Sequence, residues 1–179
     1  MLLADLAATS LAVAATPKRT EKLALLADAL RRAGPDEVAV VASYLSGELR
    51  QRRTGVGWKS LQDLPDPAPE PSLTVLEVDA AFAALAGLSG PGSATARATR
   101  LAELWSAAAA EEQRLLAGLV SGELRQGASA GLLTDAVARA ADLPLGLVRR
   151  ALTLSGSLAE VATAALTGQS LEAFSLVVG

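Results

Sequence analysis

Ser46-Gly-Glu-Leu-Arg-Gln51 recurs, letter for letter, as Ser121-Gly-Glu-Leu-Arg-Gln126, 75 positions later. The same register extends backwards. Leu26, Ala27 and Asp28 meet Leu101, Ala102 and Glu103; Asp36-Glu37 meets Glu111-Glu112; Ala42 meets Ala117. Each copy reads as helix, short loop, helix, the Gly-x-Leu-Arg element, and a glycine-containing loop leading into another helix. Such a duplication predicts two related helical units, over about 20–61 and 95–141, in a pseudo-two-fold arrangement with both elements on one side of the molecule.

Outward from the repeat the dominant period is 3.6. Between Glu21 and Arg32, Leu23, Leu26, Ala27 and Leu30 share one face, while Glu21, Lys22, Asp28 and Arg31 take the other. Gly34-Pro35 interrupts the pattern, and Pro35 suits the first position of a helix running to Ser46. Pro65, Pro67, Pro69 and Pro71 turn Gln62–Ser72 into an extended connector. Helices are predicted at 75–86, 94–109, 111–121, 129–141, 144–154 and 157–167, the last opened by a Ser157–Glu160 capping box. The fold class is all-α, with one domain over 1–170. Residues 171–179 read as the start of a linker or strand.

Composition removes much chemistry. Among 179 residues there is no cysteine and no histidine, so no thiolate nucleophile, zinc ribbon or Ser-His-Asp triad is available. The formal net charge is -3, and with 51% hydrophobic but only 3% aromatic residues the core must be Ala, Leu and Val. The apolar stretch Leu6–Thr16 is too short for a membrane span and reads as an amphipathic first helix. A soluble cytoplasmic protein is expected.

The charge is unevenly spread. Tyr44–Leu61 holds Glu48 against Arg50, Arg52, Arg53 and Lys59, whereas Gln62–Ala96 holds five acids and no base. The repeated element therefore lies on electropositive islands in an acidic body. Gly47 and Gly122 end helices and bare the backbone. Arg50 and Arg125 follow three residues later, beside Gly55 and Gly57 in one copy and Gly127 and Gly131 in the other. Free amides, small residues and a neighbouring guanidinium suit phosphate, and two copies could hold the two backbones of a duplex. Ordinary helix C-caps, with each arginine paired to a nearby acid, account for the same residues; both readings stand.

Other signals are weaker. No Walker A or dinucleotide motif is present. Gly87–Ser93 reads as a turn, Glu111-Glu112 as helix N-terminal acids, and Trp58 and Trp105 as buried rings rather than base-stacking ones.

Leu119-Val-Ser-Gly-Glu-Leu-Arg-Gln-Gly-Ala128, with Gly131 and the helix Thr134–Ala140, resembles the N-terminal DNA-binding domain of ATP-dependent DNA ligases, the actinobacterial ones above all. Gln51-Arg-Arg-Thr-Gly-Val-Gly-Trp58, Leu88-Ser-Gly-Pro-Gly-Ser93, Val148-Arg-Arg-Ala151 and Gly156-Ser-Leu158 support the likeness along the whole chain. The resemblance implies a helical domain that packs on the minor groove across a nick and holds the duplex for catalytic domains. Carried over by motif, Gly122, Arg125, Gly127 and Ser129 contact one backbone, and Arg52, Arg53, Gly55, Gly57 and Lys59 lie near the other strand, with Arg50 the first copy's counterpart of Arg125. Glu123 departs from the basic side chain common in relatives and implies weak binding.

The family's chemistry uses a lysine in a Lys-x-Asp-Gly motif. Lys18, Lys22 and Lys59 lack that context, so no catalytic residue, metal ligand or cofactor is expected here, and nick sealing by this segment alone is not. ATP and Mg are implied for the full-length ligase. The implied partners are nicked double-stranded DNA and the nucleotide-transfer and OB-fold domains, with a nucleoid-associated location and no membrane. Phe174–Val178 resembles the start of the nucleotide-transfer domain. The alternative is a helical protein-interaction scaffold without nucleic-acid binding, for which alanine-rich helices and an acidic balance also serve; it predicts an exposed apolar groove.

Overall fold

The computed structural model describes residues 1–124 and 126–174, and its regular elements are helical. The α-helices are α1 (Leu3–Ala15), α2 (Arg19–Arg32), α3 (Val38–Leu45), α4 (Val75–Ala86), α5 (Ser93–Ala107), α6 (Ala110–Ser121), α7 (Ala130–Ala141), α8 (Leu145–Ser155) and α9 (Leu158–Leu166). Short 3-10 turns occupy Trp58–Leu61 and Leu171–Ala173. The fold is all-α, and the helices sit where the 3.6 period puts them.

Several boundaries shift for local reasons. α3 begins at Val38 because Pro35–Glu37 forms a turn, in which the Glu37 carboxylate accepts the Gly34 N–H at 2.7 Å. The loop after the first repeat copy enters a four-residue 3-10 turn rather than an α-helix. Only seven residues separate Gly57 from Pro65, and a helix cannot repay its nucleation cost over so short a run. Ser157 does cap α9, its Oγ accepting the Glu160 N–H at 3.3 Å, but the return arm of the box is replaced: the Ser157 N–H donates to Ser155 Oγ at 3.0 Å. The complete capping box is Thr74–Glu77 at the start of α4. At the end of the described chain, Leu171–Ala173 is a 3-10 turn and Phe174 is extended; the remainder of the expected strand, 175–179, lies outside the described residues.

The chain condenses into two compact units, Met1–Ala8 with Gly47–Arg125, and Thr9–Ser46 with Gln126–Gly179. It passes from one unit to the other inside each copy of the repeated hexapeptide, at 46/47 and again at 125/126.

The first unit is built on α4, α5 and α6 with the opening turns of α1. Its interior holds Leu3, Leu6, Val78, Phe82, Leu101, Trp105 and Leu116, all buried. The two rings are the main apolar mass in a core otherwise made of aliphatic side chains. Backbone bonds Leu3 N–H to Leu73 O (2.8 Å) and Val75 N–H to Met1 O (3.1 Å) tie the chain start to the lead-in of α4. The proline-rich connector is held where its prolines allow, through a proline carbonyl and through the N–H of a residue between prolines. Gln113 donates to Pro65 O at 3.2 Å, and Ala68 N–H reaches Ala108 O at 2.8 Å.

The second unit packs α2 against α7 and α3 against α9, with α8 beside α7 and α9. Leu26, Leu30, Val41, Tyr44, Leu133, Val137, Val148 and Val161 are buried there, with Ala27, Ala136, Ala151 and Ala162 between them. Alanine at these positions lets helix axes approach closely, which is how so aromatic-poor a chain reaches close packing. Arg31 closes the end of α7, donating to Arg139 O at 2.7 Å and Ala140 O at 3.4 Å.

Candidate nucleic-acid interface

The second residue of each hexapeptide takes the backbone conformation that glycine favours. Gly47, after α3, has φ +81, and Gly122, the C-cap of α6, has φ +69. The N–H of Glu123 returns to Gly118 O at 3.1 Å, completing the α6 terminus. Leu124 then folds back onto the helix: a Cβ on Gly118 would stand 2.9 Å from Leu124 Cδ1, so glycine is the residue that lets it lie there. A Cβ on Gly47 would stand 3.7 Å from Leu124 Cβ. The glycine of the first copy thus lies close to the leucine of the second, and the two corners are neighbours within the first unit.

Between them lies an open groove of about 560 Å³, walled by residues of the 47–56 segment on one side and 119–122 on the other. Arg52 and Arg53 line it, are exposed, and among the described residues have no ion-pair partner. Glu48 lines it too. Arg50 turns away. Its guanidinium pairs with Asp79 of α4 at 2.7 Å, and Gln51 donates to the same carboxylate at 3.0 Å. Of the two accounts of the repeat, the paired-arginine one describes Arg50 as it stands.

The loop that follows is braced. Thr54 is buried, and its Oγ1 accepts the Val56 N–H at 3.2 Å. Arg97 of α5 donates through Nε to Thr54 O at 3.1 Å and through Nη2 to Leu88 O at 2.9 Å. Gly55, with φ +71, is where the chain must lack a side chain, because a Cβ would fall 2.6 Å from the Arg97 Cζ. Arg97 was invisible as a site residue in the sequence; its value lies in a contact 43 residues away. Gly57 is exposed with open space around it, and Lys59 is exposed beside a smaller cavity of about 330 Å³ that Arg97 also lines.

Trp58 is 68% exposed, against the expectation of burial, while Trp105 is 3% exposed as expected. The 3-10 turn explains the difference: it is too short to form an apolar face that packs on a helix, so its ring is left in water.

In the second unit, Gly127 has φ +69, and a Cβ there would lie 2.5 Å from Lys22 Nζ. Lys22, from α2, donates to Gln126 O at 3.3 Å. Gln126 is buried and its amide donates to Leu45 O. Ser129 caps α7, its Oγ accepting the Leu132 N–H at 3.2 Å, and Ala130 and Gly131 are exposed at the helix start. Arg125 lies outside the described residues.

The acidic pair resolves into two separate roles. Glu111 pairs with Arg114 at 3.0 Å. Glu112 is fully buried and accepts the Ala109 N–H at 2.7 Å. Burial pushes its carboxyl up, against the lowering pull of the Ala109 and Ala4 N–H groups. Among the described residues no helix is long and apolar enough to cross a membrane.

Residues 59–138 match the sequence family described as DNA ligase N terminus. A probable DNA ligase of Beutenbergia cavernae is 58% identical over 186 residues, which take in all of this chain and 36% of that protein. DNA ligase B of Mycobacterium tuberculosis is 52% identical over 181 residues, again all of this chain and 36% of the relative. For a probable DNA ligase of Mycolicibacterium gilvum the identity is 54%, over 93% of this chain and 33% of that protein. The chain spans about a third of the length of the curated relatives it matches.

Proposed function

Because the chain belongs to the DNA ligase N-terminus family, we propose that it is the duplex-holding domain of an ATP-dependent DNA ligase, binding nicked DNA through its backbone without reading sequence. One observation carries the reading: both glycine corners, 75 residues apart in the chain, border a single groove in which Arg52 and Arg53 stand unpaired among the described residues. Sugar-phosphate backbone can approach the bare main chain at Gly47 and Gly122 while the two guanidinium groups neutralise phosphates. Gly55, Gly57 and Lys59 continue that surface. In the second unit, Gly127 and the α7 cap Ser129 offer a further phosphate contact. Such contacts position a duplex without specifying its bases, which suits an enzyme that must accept any nick.

Adenylate transfer, with its ATP and Mg, belongs in this reading to the nucleotide-transfer and OB-fold domains of the same ligase, in the cytoplasm. Lys18, Lys22 and Lys59 have no Lys-x-Asp-Gly context.

Titrating labelled nicked duplex at several salt concentrations tests the proposal. Neutralising about four phosphates gives a slope of log K against log salt near −3 to −4. A flat slope refutes phosphate-dominated binding. It would leave the helical scaffold reading, which the Arg50–Asp79 pair favours by withdrawing one cation from the groove.

A further inference from the structure

The two tryptophans have opposite fates, Trp105 in the core and Trp58 68% exposed. An indole held in water forgoes the burial that would otherwise make it the largest apolar contributor to a core. Its support is ordered. The preceding loop is fixed by Arg97 on Thr54 O and Leu88 O, by the Val56 N–H on Thr54 Oγ1, and by Gly55, whose φ of +71 side chains rarely adopt and whose missing Cβ makes room for Arg97. The turn itself is closed by the Ser60 N–H on Gly57 O at 2.9 Å. A braced loop therefore presents the ring outward.

The setting identifies the partner. Arg52, Arg53 and Lys59 lie within six residues of Trp58, are exposed, and have no acidic partner among the described residues. Exposed cations near a bare indole along one loop complement a polyanion that also offers apolar faces, as a nucleic acid does. We propose that Trp58 is a non-ionic contact to the duplex, laying its indole against deoxyribose and base edges in the minor groove while the flanking cations take the phosphates. This rests on the duplex-holding reading above and adds a contact of different physics: it does not release counterions and therefore does not respond to salt.

The test uses the whole chain and a nicked 20-base-pair duplex, with acrylamide quenching of tryptophan fluorescence and salt-dependent titrations. The expected result is that DNA shields the exposed tryptophan from acrylamide. Trp58→Ala then binds about ten-fold more weakly at every salt concentration with an unchanged slope, and Trp58→Phe stays near the parent. The exposure of Trp58 leaves both variants folded, which circular dichroism verifies. If the parent binds with a steep salt slope, yet Trp58 remains quenchable in the complex and Trp58→Ala binds equally well, the Trp58 contact is overturned while the duplex-holding function stands, and the ring is free for a protein partner. If the parent shows no salt-dependent binding, the function falls and the contact with it.

Discussion

The guanidinium of Arg97 occupies the space that a side chain on Gly55 would need. A Cβ built there lies 2.6 Å from the Arg97 Cζ, and the backbone φ of +71 is one that other residues adopt only under strain. Gly55→Ala is therefore expected to evict Arg97 from its carbonyls on Thr54 and Leu88 and to cost on the order of 1–3 kcal/mol. Urea denaturation of the variant measures this. A stability within about 0.5 kcal/mol of the parent, the range of neutral surface changes, would mean the loop does not depend on that clasp.

Asp79 holds the guanidinium of Arg50 that the duplex-holding reading would otherwise free for a phosphate. The pair is half exposed on the arginine side, so its loss should change stability by no more than about 1 kcal/mol. Asp79→Asn is expected to release the guanidinium, raise affinity for nicked duplex, and steepen the salt slope by roughly one unit. Fluorescence anisotropy at several salt concentrations reads both. An unchanged slope would take Arg50 out of the interface.

Arg52, Arg53 and Arg125 should behave alike in binding. Arg52→Ala or Arg53→Ala is expected to weaken every duplex to the same extent and to lower the slope by about one each. Arg125→Glu should weaken all duplexes alike and more strongly, since it replaces attraction by repulsion. Sequence-dependent losses would point to base readout instead.

Glu112 makes a pH signature. Its folded pKa is raised, chiefly by desolvation, so the folded state holds a proton that the unfolded chain releases. That contribution is fully present below the unfolded carboxylate pKa of 4.5 and is lost as pH rises through the raised folded value. Comparing urea midpoints at pH 5 and pH 7 should show the parent gaining more on acidification than Glu112→Gln does. Equal gains would mean that Glu112 titrates normally.

Glu77 works in the other direction. The Thr74 N–H and hydroxyl hold its carboxyl low, so its support for α4 is present above the normal carboxylate range and is lost as pH falls. Thr74→Ala removes the capping acceptor and should cost about 1 kcal/mol, read by thermal melting. A melting temperature equal to the parent's would assign the α4 start to Glu77 alone.

Much of the fold was legible in the chain. The spacing of Leu26, Ala27 and Leu30, the Gly34-Pro35 break and the prolines from Pro65 to Pro71 carry strong local physics, and α2, α4 and the connector follow them closely. The candidate site was legible only as a set of residue types. That Arg50 is tied to Asp79, 29 positions away, that Lys22 reaches Gln126 O, and that Arg97 braces Thr54 are contacts between distant segments with no local trace. Trp58 was misplaced because composition favours burying a tryptophan, while the run between Gly57 and Pro65 leaves no helix face on which to bury it.

By itself the sequence determined the helical class, the breaks between helices, the absence of thiol and imidazole chemistry, and the twin corners with their glycines and arginines, because each depends on neighbours a few positions apart. Only the tertiary structure decided that Gly47 lies beside Leu124, that Arg52 and Arg53 remain unpaired among the described residues while Arg50 does not, and that one tryptophan faces water. Those outcomes depend on which distant side chains arrive at the same place, and packing, unlike periodicity, is settled by the whole chain at once.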